Sequence, residues 1–264
     1  MSGTADDLSL ILATALAAGE VAQTMRASGL ETTYKADKTP VTDADLAVDA
    51  LIKSALRAAR PDYGWLSEET ADDPSRLACE RLFVVDPIDG TRAYLKGKPW
   101  WGVSIAVVEN GVSVAGVVHV PDRAETYVAT LGGGARLNGT VIAPSRTAAV
   151  EDCSMLADAP MFRHPAWPVP WPPMRIESRN SVAYRLCSVA SGEFDVTLAL
   201  SSKSEWDLAA ASLIAEEAGC QVTTHKGRRF AFNRPVPTLR SLVCAGPALH
   251  RLILDRVEPI DLPD

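Results

Sequence analysis

The segment Leu82–Leu95, LFVVDPIDGTRAYL, joins an apolar run to two carboxylates. Leu82–Val85 has the composition of a buried strand, and Asp86 and Asp89 follow it closely. Removing a charge from water is costly unless the charge is neutralised, and two carboxylates this near each other along the chain repel. The segment therefore predicts that a cation lies between Asp86 and Asp89.

The residues around the carboxylates indicate what such a cation would serve. Gly90 and Thr91 open a short predicted helix, and the first N–H groups of a helix have no partner within it, so they can hold an anion. An anion beside two carboxylates requires metal ions between them. The carboxylates and the main-chain oxygen of Ile88 are hard oxygen ligands of the kind that Mg²⁺ prefers.

Three further carboxylates, Asp45, Glu68 and Asp207, lie at predicted junctions between elements. Asp45 is spaced to complete a capping box with Thr42. Glu68 follows a strand-like stretch and is also consistent with a solvated loop charge, and Asp207 is also consistent with a helix N-cap. From the residues alone, each of the three keeps a structural as well as a metal-binding interpretation.

The composition limits the classes of protein that remain. The chain has 264 residues, of which 47% are hydrophobic, and a net charge of −7, which argues against binding to a nucleic-acid polymer. The N-terminus lacks the basic start of a secretory signal, and no apolar run approaches the roughly 20 residues of a membrane span, so no integral membrane segment is expected. Five cysteines without a C-x-x-C pair are typical of free thiols in a reducing cytoplasm.

The pattern of elements predicts two subdomains. In residues 1–146, a helix over about Ala5–Gly29 is capped by Thr4, and a second helix runs from Thr42 to before Pro61. An antiparallel meander follows, with hairpin turns at Asn110-Gly111 and Asn138-Gly139. Residues 147–264 alternate helices and strands, which favours a smaller α/β unit. The apolar face predicted for the second helix comprises Leu46, Leu51, Ile52 and Leu56, and a strand is predicted over Glu151–Leu156.

Four segments, in this order and spacing, resemble the inositol monophosphatase family of Mg²⁺-dependent, Li⁺-sensitive phosphatases. They are Lys35–Asp45 (KADKTPVTDAD), Trp65–Glu69 (WLSEE), Val84–Thr91 (VVDPIDGT) and Trp206–Gly219 (WDLAAASLIAEEAG). The resemblance covers most of the chain. It implies a layered αβαβα sandwich, a homodimer, a small phosphorylated substrate and two to three Mg²⁺ ions per active site.

The resemblance also assigns roles to particular residues. It implies that Glu68, Asp86 and the Ile88 carbonyl hold a first metal, that Asp86, Asp89 and Asp207 hold a second, and that a weaker third ion contacts Glu68. It implies that the Gly90 and Thr91 N–H groups hold the phosphate, and that Thr91 and Asp45 position the attacking water. Most of these ligands lie in the first subdomain, and the second supplies Asp207.

Two departures from the family pattern bear on the substrate. Leu200 stands near the position of a Glu that contacts inositol hydroxyls, with Glu205 the nearest acid, and the segment Arg179–Val182 replaces the expected small residues. Together they disfavour inositol phosphate. The segments YGWLSEET and EWDLAAA instead resemble the bacterial branch of the family that acts on 3′(2′),5′-bisphosphate nucleotides such as 3′-phosphoadenosine 5′-phosphate. Inositol 1-phosphate and histidinol phosphate remain alternatives, and a non-catalytic role as a binding partner is a lesser one. Arg179, Arg185 and Lys203 could bind a second phosphate or form a solvated face, and Trp167 and Trp171 could cover a base or lie in a surface loop.

Overall fold

The computed structural model of the chain describes residues 2–35, 39–165 and 167–262. Its α-helices are α1 (Ser2–Ser28), α2 (Asp43–Ala59), α3 (Thr91–Leu95), α4 (Val182–Ala190), α5 (Glu205–Ala218) and α6 (Pro247–Val257). Its first nine strands are β1 (Thr32–Tyr34), β2 (Pro40–Thr42), β3 (Gly64–Ser67), β4 (Arg81–Asp89), β5 (Gly102–Glu109), β6 (Val112–Val120), β7 (Glu125–Thr130), β8 (Ala135–Leu137) and β9 (Thr140–Val141). The remaining strands are β10 (Ser154–Leu156), β11 (Arg175–Glu177), β12 (Val196–Ala199), β13 (Lys203–Ser204), β14 (Gln221–Thr223), β15 (Thr238–Leu239) and β16 (Leu242–Ala245).

Strands β3 to β9 form one sheet in chain order, and β4 is buried on both of its faces. Every neighbouring pair in this sheet is antiparallel except β3 and β4, which run parallel. Because side chains alternate along a strand, Phe83 and Val85 pack in the core that contains α1 and α2. Leu82 and Val84 pack in the core that contains α4 and α5.

The second sheet has the order β11-β10-β12-β16-β14 and mixes parallel with antiparallel pairs. Leu156 and Leu242 pack toward α4 and α5, whereas Met155 and Val243 pack in the core that contains α6. The order of layers is therefore helices, sheet, helices, sheet and helix. This confirms the predicted αβαβα sandwich. The division near residue 146 falls between the two sheets and stays a prediction.

Three local predictions were wrong. Helix α1 already includes Ser2, so Thr4 lies inside the helix and is not its cap. Leu46 is 53% exposed, since the core-facing positions of α2 lie four residues apart at Ala44, Val48 and Ile52. The predicted strand over residues 151–156 is limited to β10, because a turn precedes it in which the N–H of Cys153 donates to the Val150 carbonyl. In addition, β1 and β2 pair as antiparallel strands, which was not predicted, and residues 36–38 of the Lys35–Asp45 segment lie outside the described residues.

Helix α1 differs from expectation in one further respect. Among the described residues, Gly3–Ser28 is long and apolar enough to cross a membrane by length and composition alone. In the structure, Ile11, Ala15 and Ala18 of this helix are fully buried in the core shared with α2 and the first sheet. Asp7 is also fully buried and forms ion pairs with Arg60, which follows α2, and with Arg81 of β4.

Candidate active site

The turn at the end of β4 gathers the carboxylates of the DPIDGT segment. Pairing between β4 and β5 is regular up to Asp86 and shifts register before Asp89, so the chain bulges between them. The Asp86 side chain accepts a hydrogen bond from the Ile88 N–H at 3.1 Å, which closes the turn. Gly90 follows in the left-handed region, with φ of 93°, and a Cβ there would lie 3.1 Å from the Ser181 backbone nitrogen. Glycine is therefore required both by conformation and by the close approach of the α4 end.

Asp207 reaches this turn from the other half of the chain. It occupies the third position of α5 and completes a capping box with Ser204, which corrects the prediction that it could be the N-cap itself. One carboxylate oxygen from each of Asp86, Asp89 and Asp207 lies within 4.8 Å of the other two. The structure thus brings together three carboxylates that are as much as 121 residues apart in number.

The electrostatics of the cluster favour a bound cation. Burial raises the pKa of Asp86 well above its usual range, and the neighbouring charges of Glu68, Asp89 and Asp207 raise it further. Burial and the charge of Asp89 likewise raise the pKa of Asp207. Carboxylates that destabilise one another in this way gain most from positive charge placed between them. The donor set therefore fits a hard divalent cation.

Asp89 is held by the N-terminus of α4, an arrangement that the sequence analysis missed. Its carboxylate accepts hydrogen bonds from Ser181 Oγ at 2.5 Å, from the Ala183 N–H at 2.7 Å and from the Val182 N–H at 3.1 Å. Burial raises the pKa of Asp89 to about 6, and these hydrogen bonds oppose the rise. The Ser181 hydroxyl also caps α4 by accepting from the Tyr184 N–H. The available signal was Ser181 itself, because Ser is a preferred N-cap residue and the apolar stretch that follows it is helical.

Glu68 lies at the same edge but is engaged differently. It follows β3, which pairs in parallel with β4, and its N–H donates to the Val85 carbonyl at 3.3 Å. Its carboxylate does not belong to the three-carboxylate cluster. Instead, Lys35 Nζ donates to Glu68 and Glu69 at 2.8 Å each. Burial opposes protonation of Lys35, but these two carboxylates outweigh it and raise the pKa of Lys35.

Asp45 and Thr91 are in contact. Thr91 Oγ1 donates to Asp45 Oδ1 at 3.2 Å and lies 3.3 Å from the Ile88 carbonyl oxygen. Asp45 also completes the capping box of α2 with Thr42. The structural interpretation of Asp45 and the proximity to Thr91 are therefore both correct.

A cavity of about 690 Å³ opens above the carboxylates and is large enough for a nucleotide-sized ligand. Its walls come from the end of β4, the start of α4 and residues 198–204. Leu200 lines it, as does Arg185, whose Nε donates to the Arg179 carbonyl at 2.5 Å. Burial lowers the pKa of Arg185, and the charges of Asp89 and Asp158 oppose this shift. Lys203 lines the cavity too and donates to the Ser201 hydroxyl at 2.8 Å.

Several sequence-based candidates lie elsewhere. Arg179 is neither a cavity residue nor part of a solvated face, since it is 8% exposed and pairs with Glu193 at 3.0 Å. Glu205 is fully buried, and its carboxylate accepts from the N–H groups of Asn233 and Arg234, so it faces away from a ligand. The two loop tryptophans do not line the described cavity. The rings of Trp167 and Trp171 pack edge to face, with their centroids 5.1 Å apart, and both are partly buried against the core that contains α6. The surface-loop interpretation was therefore only partly correct.

The fold and the carboxylate-lined cavity define a phosphoric monoester hydrolase of the layered α/β class. The chain belongs to the inositol monophosphatase family, whose model matches residues 6–261. This confirms the resemblance drawn from the four segments. The family is metal-dependent, in agreement with the acidic cluster, in which Asp86 and Asp89 are buried and Asp207 is partly buried.

Individual relatives differ in their named activities. A histidinol-phosphatase of Mycobacterium tuberculosis is 34% identical over 233 residues, which cover 84% of this chain and 88% of the relative. A protein named Nus factor SuhB from Pasteurella multocida is 29% identical over 89% of this chain and 88% of its own length. The solved structure of the Thermotoga maritima IMPase superposes with a TM-score of 0.82 at 26% identity, covering 96% of this chain and 97% of that one.

Proposed function

We propose that this phosphatase is Mg²⁺-dependent and acts on a substrate with a second anionic group beside the ester, such as 3′-phosphoadenosine 5′-phosphate, which it would convert to AMP. The observation that carries the substrate proposal is the charge of the cavity outside the carboxylate cluster. There, Arg92, Arg185 and Lys203 line the walls, and the described lining carboxylates are Glu68, which we place among the metal ligands below, and Asp158. Once the cluster is neutralised by metal, the remaining lining is cationic.

The metal-binding part of the proposal rests on the donor set. Asp86, Asp89 and Asp207 would hold Mg²⁺, with Glu68 and the Ile88 carbonyl completing two to three sites. When bound, the ions would supply Lewis acidity to the phosphoryl group and to the attacking water. Release of Glu68 from Lys35 would accompany loading of the site.

The chain's own groups would perform the remaining steps. The Gly90 and Thr91 N–H groups, at the start of α3, would donate to the phosphoryl oxygens. The Thr91 hydroxyl oxygen would accept a hydrogen bond from the attacking water and hold it in line with the ester bond, and Asp45 would accept the hydrogen bond of the Thr91 hydroxyl and fix its rotamer. Positioning and charge stabilisation supply most of the acceleration in phosphoryl transfer, so no nucleophilic side chain is invoked.

The cationic wall would discriminate between substrates. A second phosphate would pair with Arg185, whose burial leaves its charge poorly solvated and therefore receptive to an anion. The hydroxyls of inositol would lie against Leu200, which cannot accept hydrogen bonds as a carboxylate at that position would. Loss of a buried acceptor strongly weakens recognition of a hydroxyl group. The ammonium group of histidinol phosphate would be repelled by the same cationic lining.

Histidinol phosphate is the second candidate, because two relatives named histidinol-phosphatase are each 34% identical to this chain. Asp158, on the cavity wall, is the group that could accept its ammonium. A role beyond catalysis, as the name Nus factor SuhB indicates for another relative, is the third. A cytoplasmic location, a homodimer and inhibition by Li⁺ are expected with any of these and are likewise proposals.

The test is a kinetic panel with Mg²⁺ present and with EDTA. We expect kcat/KM for 3′-phosphoadenosine 5′-phosphate to exceed that for inositol 1-phosphate and for histidinol phosphate by at least tenfold, and all activity to be lost in EDTA. A preference for histidinol phosphate would overturn the substrate proposal but leave the metal-dependent mechanism. Turnover that survives EDTA would overturn the mechanism.

A further inference from the structure

A second concavity, with a volume of about 400 Å³, lies apart from the active-site cavity and is strongly basic. Its cationic lining residues are Lys226, Arg228, Arg229, Arg234 and Arg240. The other described lining residues are uncharged. Such a lining is unexpected on a protein whose net charge is −7, because like charges this close repel one another.

The charges of this basic concavity are only partly compensated within the described residues. Lys226 Nζ donates to the Glu258 carbonyl at 2.6 Å and lies 3.5 Å from a carboxylate oxygen of Asp261, which is fully exposed. A surface pair of this kind contributes little. Arg234 donates to the Thr238 carbonyl, which carries no net charge. Arg229 also interacts with the charge of Glu216, and Arg234 with that of Glu205, but no carboxylate belongs to the described lining of the concavity itself.

The segment that carries these cations is held in place by hydrogen bonds. Thr224 Oγ1 accepts from the N–H groups of Lys226 and Arg228, at 3.3 and 3.2 Å. At the other end, the buried Glu205 carboxylate accepts from the N–H of Arg234 at 3.0 Å. A fixed backbone lowers the entropic cost of binding, since the loop does not have to be ordered by the ligand.

We propose that this basic concavity is a binding site for a small polyanion that carries two or more phosphate or sulfate groups. Five converging cations match several anionic groups better than one, and a volume of 400 Å³ suits a small molecule. The acidity of the chain as a whole disfavours an extended nucleic acid. The site goes beyond the proposed phosphatase activity and does not depend on it.

The concavity is connected to the active site through a short backbone ladder. Leu239, which lines the basic concavity, pairs in β15 with Lys203 of β13, which lines the active-site cavity. Ser204, next along β13, caps the helix that carries Asp207. A ligand in the basic concavity therefore contacts the strand pair that supports the acidic cluster.

The experiment measures the binding of tripolyphosphate, the probe, to the full chain by isothermal titration calorimetry. The buffer contains EDTA and about 50 mM salt, so that charge interactions are only weakly screened. Without metal, the carboxylate cluster repels the probe, so binding reports on the basic concavity. We expect one saturable site, weakened at least tenfold in Arg228→Glu/Arg229→Glu. The control Arg146→Glu/Arg175→Glu makes the same change in net charge at exposed arginines elsewhere, and should bind within twofold of the parent.

Each contrary result overturns the proposal. Absence of saturable binding to the parent excludes a site, and equal weakening in the control shows a general effect of net charge. Tighter binding of a 12-nucleotide RNA than of tripolyphosphate, by tenfold or more, replaces the small ligand with a nucleic acid. Unchanged phosphatase activity with Mg²⁺ checks folding of the variants, and Arg228→Ala/Arg229→Ala provides a milder pair should the charge reversal unfold the loop.

Discussion

Thr91 Oγ1 donates to Asp45 Oδ1 at 3.2 Å, although the two residues belong to different helices and are 46 positions apart. The other oxygen of Asp45, Oδ2, accepts from the N–H of Thr42 at 2.7 Å and from its hydroxyl at 2.5 Å. A single buried carboxylate thus caps α2 and contacts the first residue of α3. Its two oxygens serve the two purposes separately, so they can be tested separately.

If Asp45 and Thr91 activate water as a unit, their substitutions should be non-additive. We expect Thr91→Ala and Asp45→Asn each to lower kcat by roughly 100-fold or more, and the double variant to be little worse than either, because groups that act together lose their joint effect once. Steady-state phosphate release measures this. Losses that multiply in the double variant would return Asp45 to a purely structural role.

The cap alone supplies the control for that experiment. Thr42→Ala removes a capping side chain without removing the Thr91 contact, and loss of such a cap costs about 1 kcal/mol. We expect urea unfolding to register this loss while kcat changes by less than tenfold. A drop in kcat as large as that of Thr91→Ala would show that the capping oxygen also matters for catalysis.

Removing one charge from the acidic cluster should separate stability from activity. Asp86→Asn relieves repulsion among buried carboxylates, so in EDTA we expect a melting temperature equal to or above that of the parent, with turnover reduced by orders of magnitude. Mg²⁺ should raise the melting temperature of the parent by mass action and have little effect on the variant. Near-normal turnover by Asp86→Asn would exclude Asp86 from the metal site.

The segment around Asp86 and Asp89 could be interpreted from the sequence because its signals are local. An apolar run, a bulge-forming Pro, a Gly with positive φ and a helix start all act within ten residues. The five-layer fold and the contact between Asp45 and Thr91 were expected from the family resemblance, since pairing across 46 residues leaves no local signature.

What the sequence did not reveal depends on contacts between distant segments. The support of Asp89 by Ser181 joins residues 92 positions apart. The Glu205 side chain points away from the cavity because its carboxylate accepts hydrogen bonds from the N–H groups of Asn233 and Arg234. Ser181, Asn233 and Arg234 are residue types that are common in loops. Only the fold therefore shows that Ser181 is buried against Asp89 and that Glu205 points away from the cavity.

The support of Asp89 leads to a prediction about metal affinity. Ser181→Ala removes the 2.5 Å hydrogen bond to Asp89 and the cap of α4. Partners behind a metal ligand typically change affinity by about 10–100-fold, so we expect the Mg²⁺ concentration for half-maximal activity to rise by that factor. Asp73→Ala, which removes the cap of a short helical turn at Pro74–Ala78, should lower stability without moving the Mg²⁺ dependence. An equal rise in the Mg²⁺ concentration for half-maximal activity in both variants would contradict the role of Ser181 as the support of Asp89.

Arg185 provides a test of substrate recognition that is independent of the metal. A hydrogen bond to a charged group contributes about 1.5–3 kcal/mol, so Arg185→Ala should raise KM for 3′-phosphoadenosine 5′-phosphate by roughly 10- to 100-fold. Turnover of a small monophosphate such as 2-glycerophosphate, which lacks the second anion, should be nearly unchanged. Arg163→Ala, at an exposed position, is the control. Equal losses on both substrates would show that Arg185 supports the fold of the cavity instead of the second phosphate.

Asp195 should stabilise the second sheet in a manner that depends on pH. Its carboxylate accepts hydrogen bonds from Ser145, Thr147 and Ser154, at 2.5 to 2.7 Å. Burial alone would raise the pKa of Asp195, but these hydrogen bonds outweigh it and lower the pKa to about 2. Because the folded-state pKa is depressed, the stabilisation is present above the unfolded value of about 3.9 and is lost as the pH falls toward 2.

We expect Asp195→Ala to lower the free energy of unfolding by roughly 2–4 kcal/mol at pH 7, and the difference from the parent to shrink between pH 5 and pH 2.5 in urea titrations. Asp62→Ala, at an exposed position, should show neither effect. A difference that stayed constant across this pH range would mean that Asp195 contributes through packing and not through its charge.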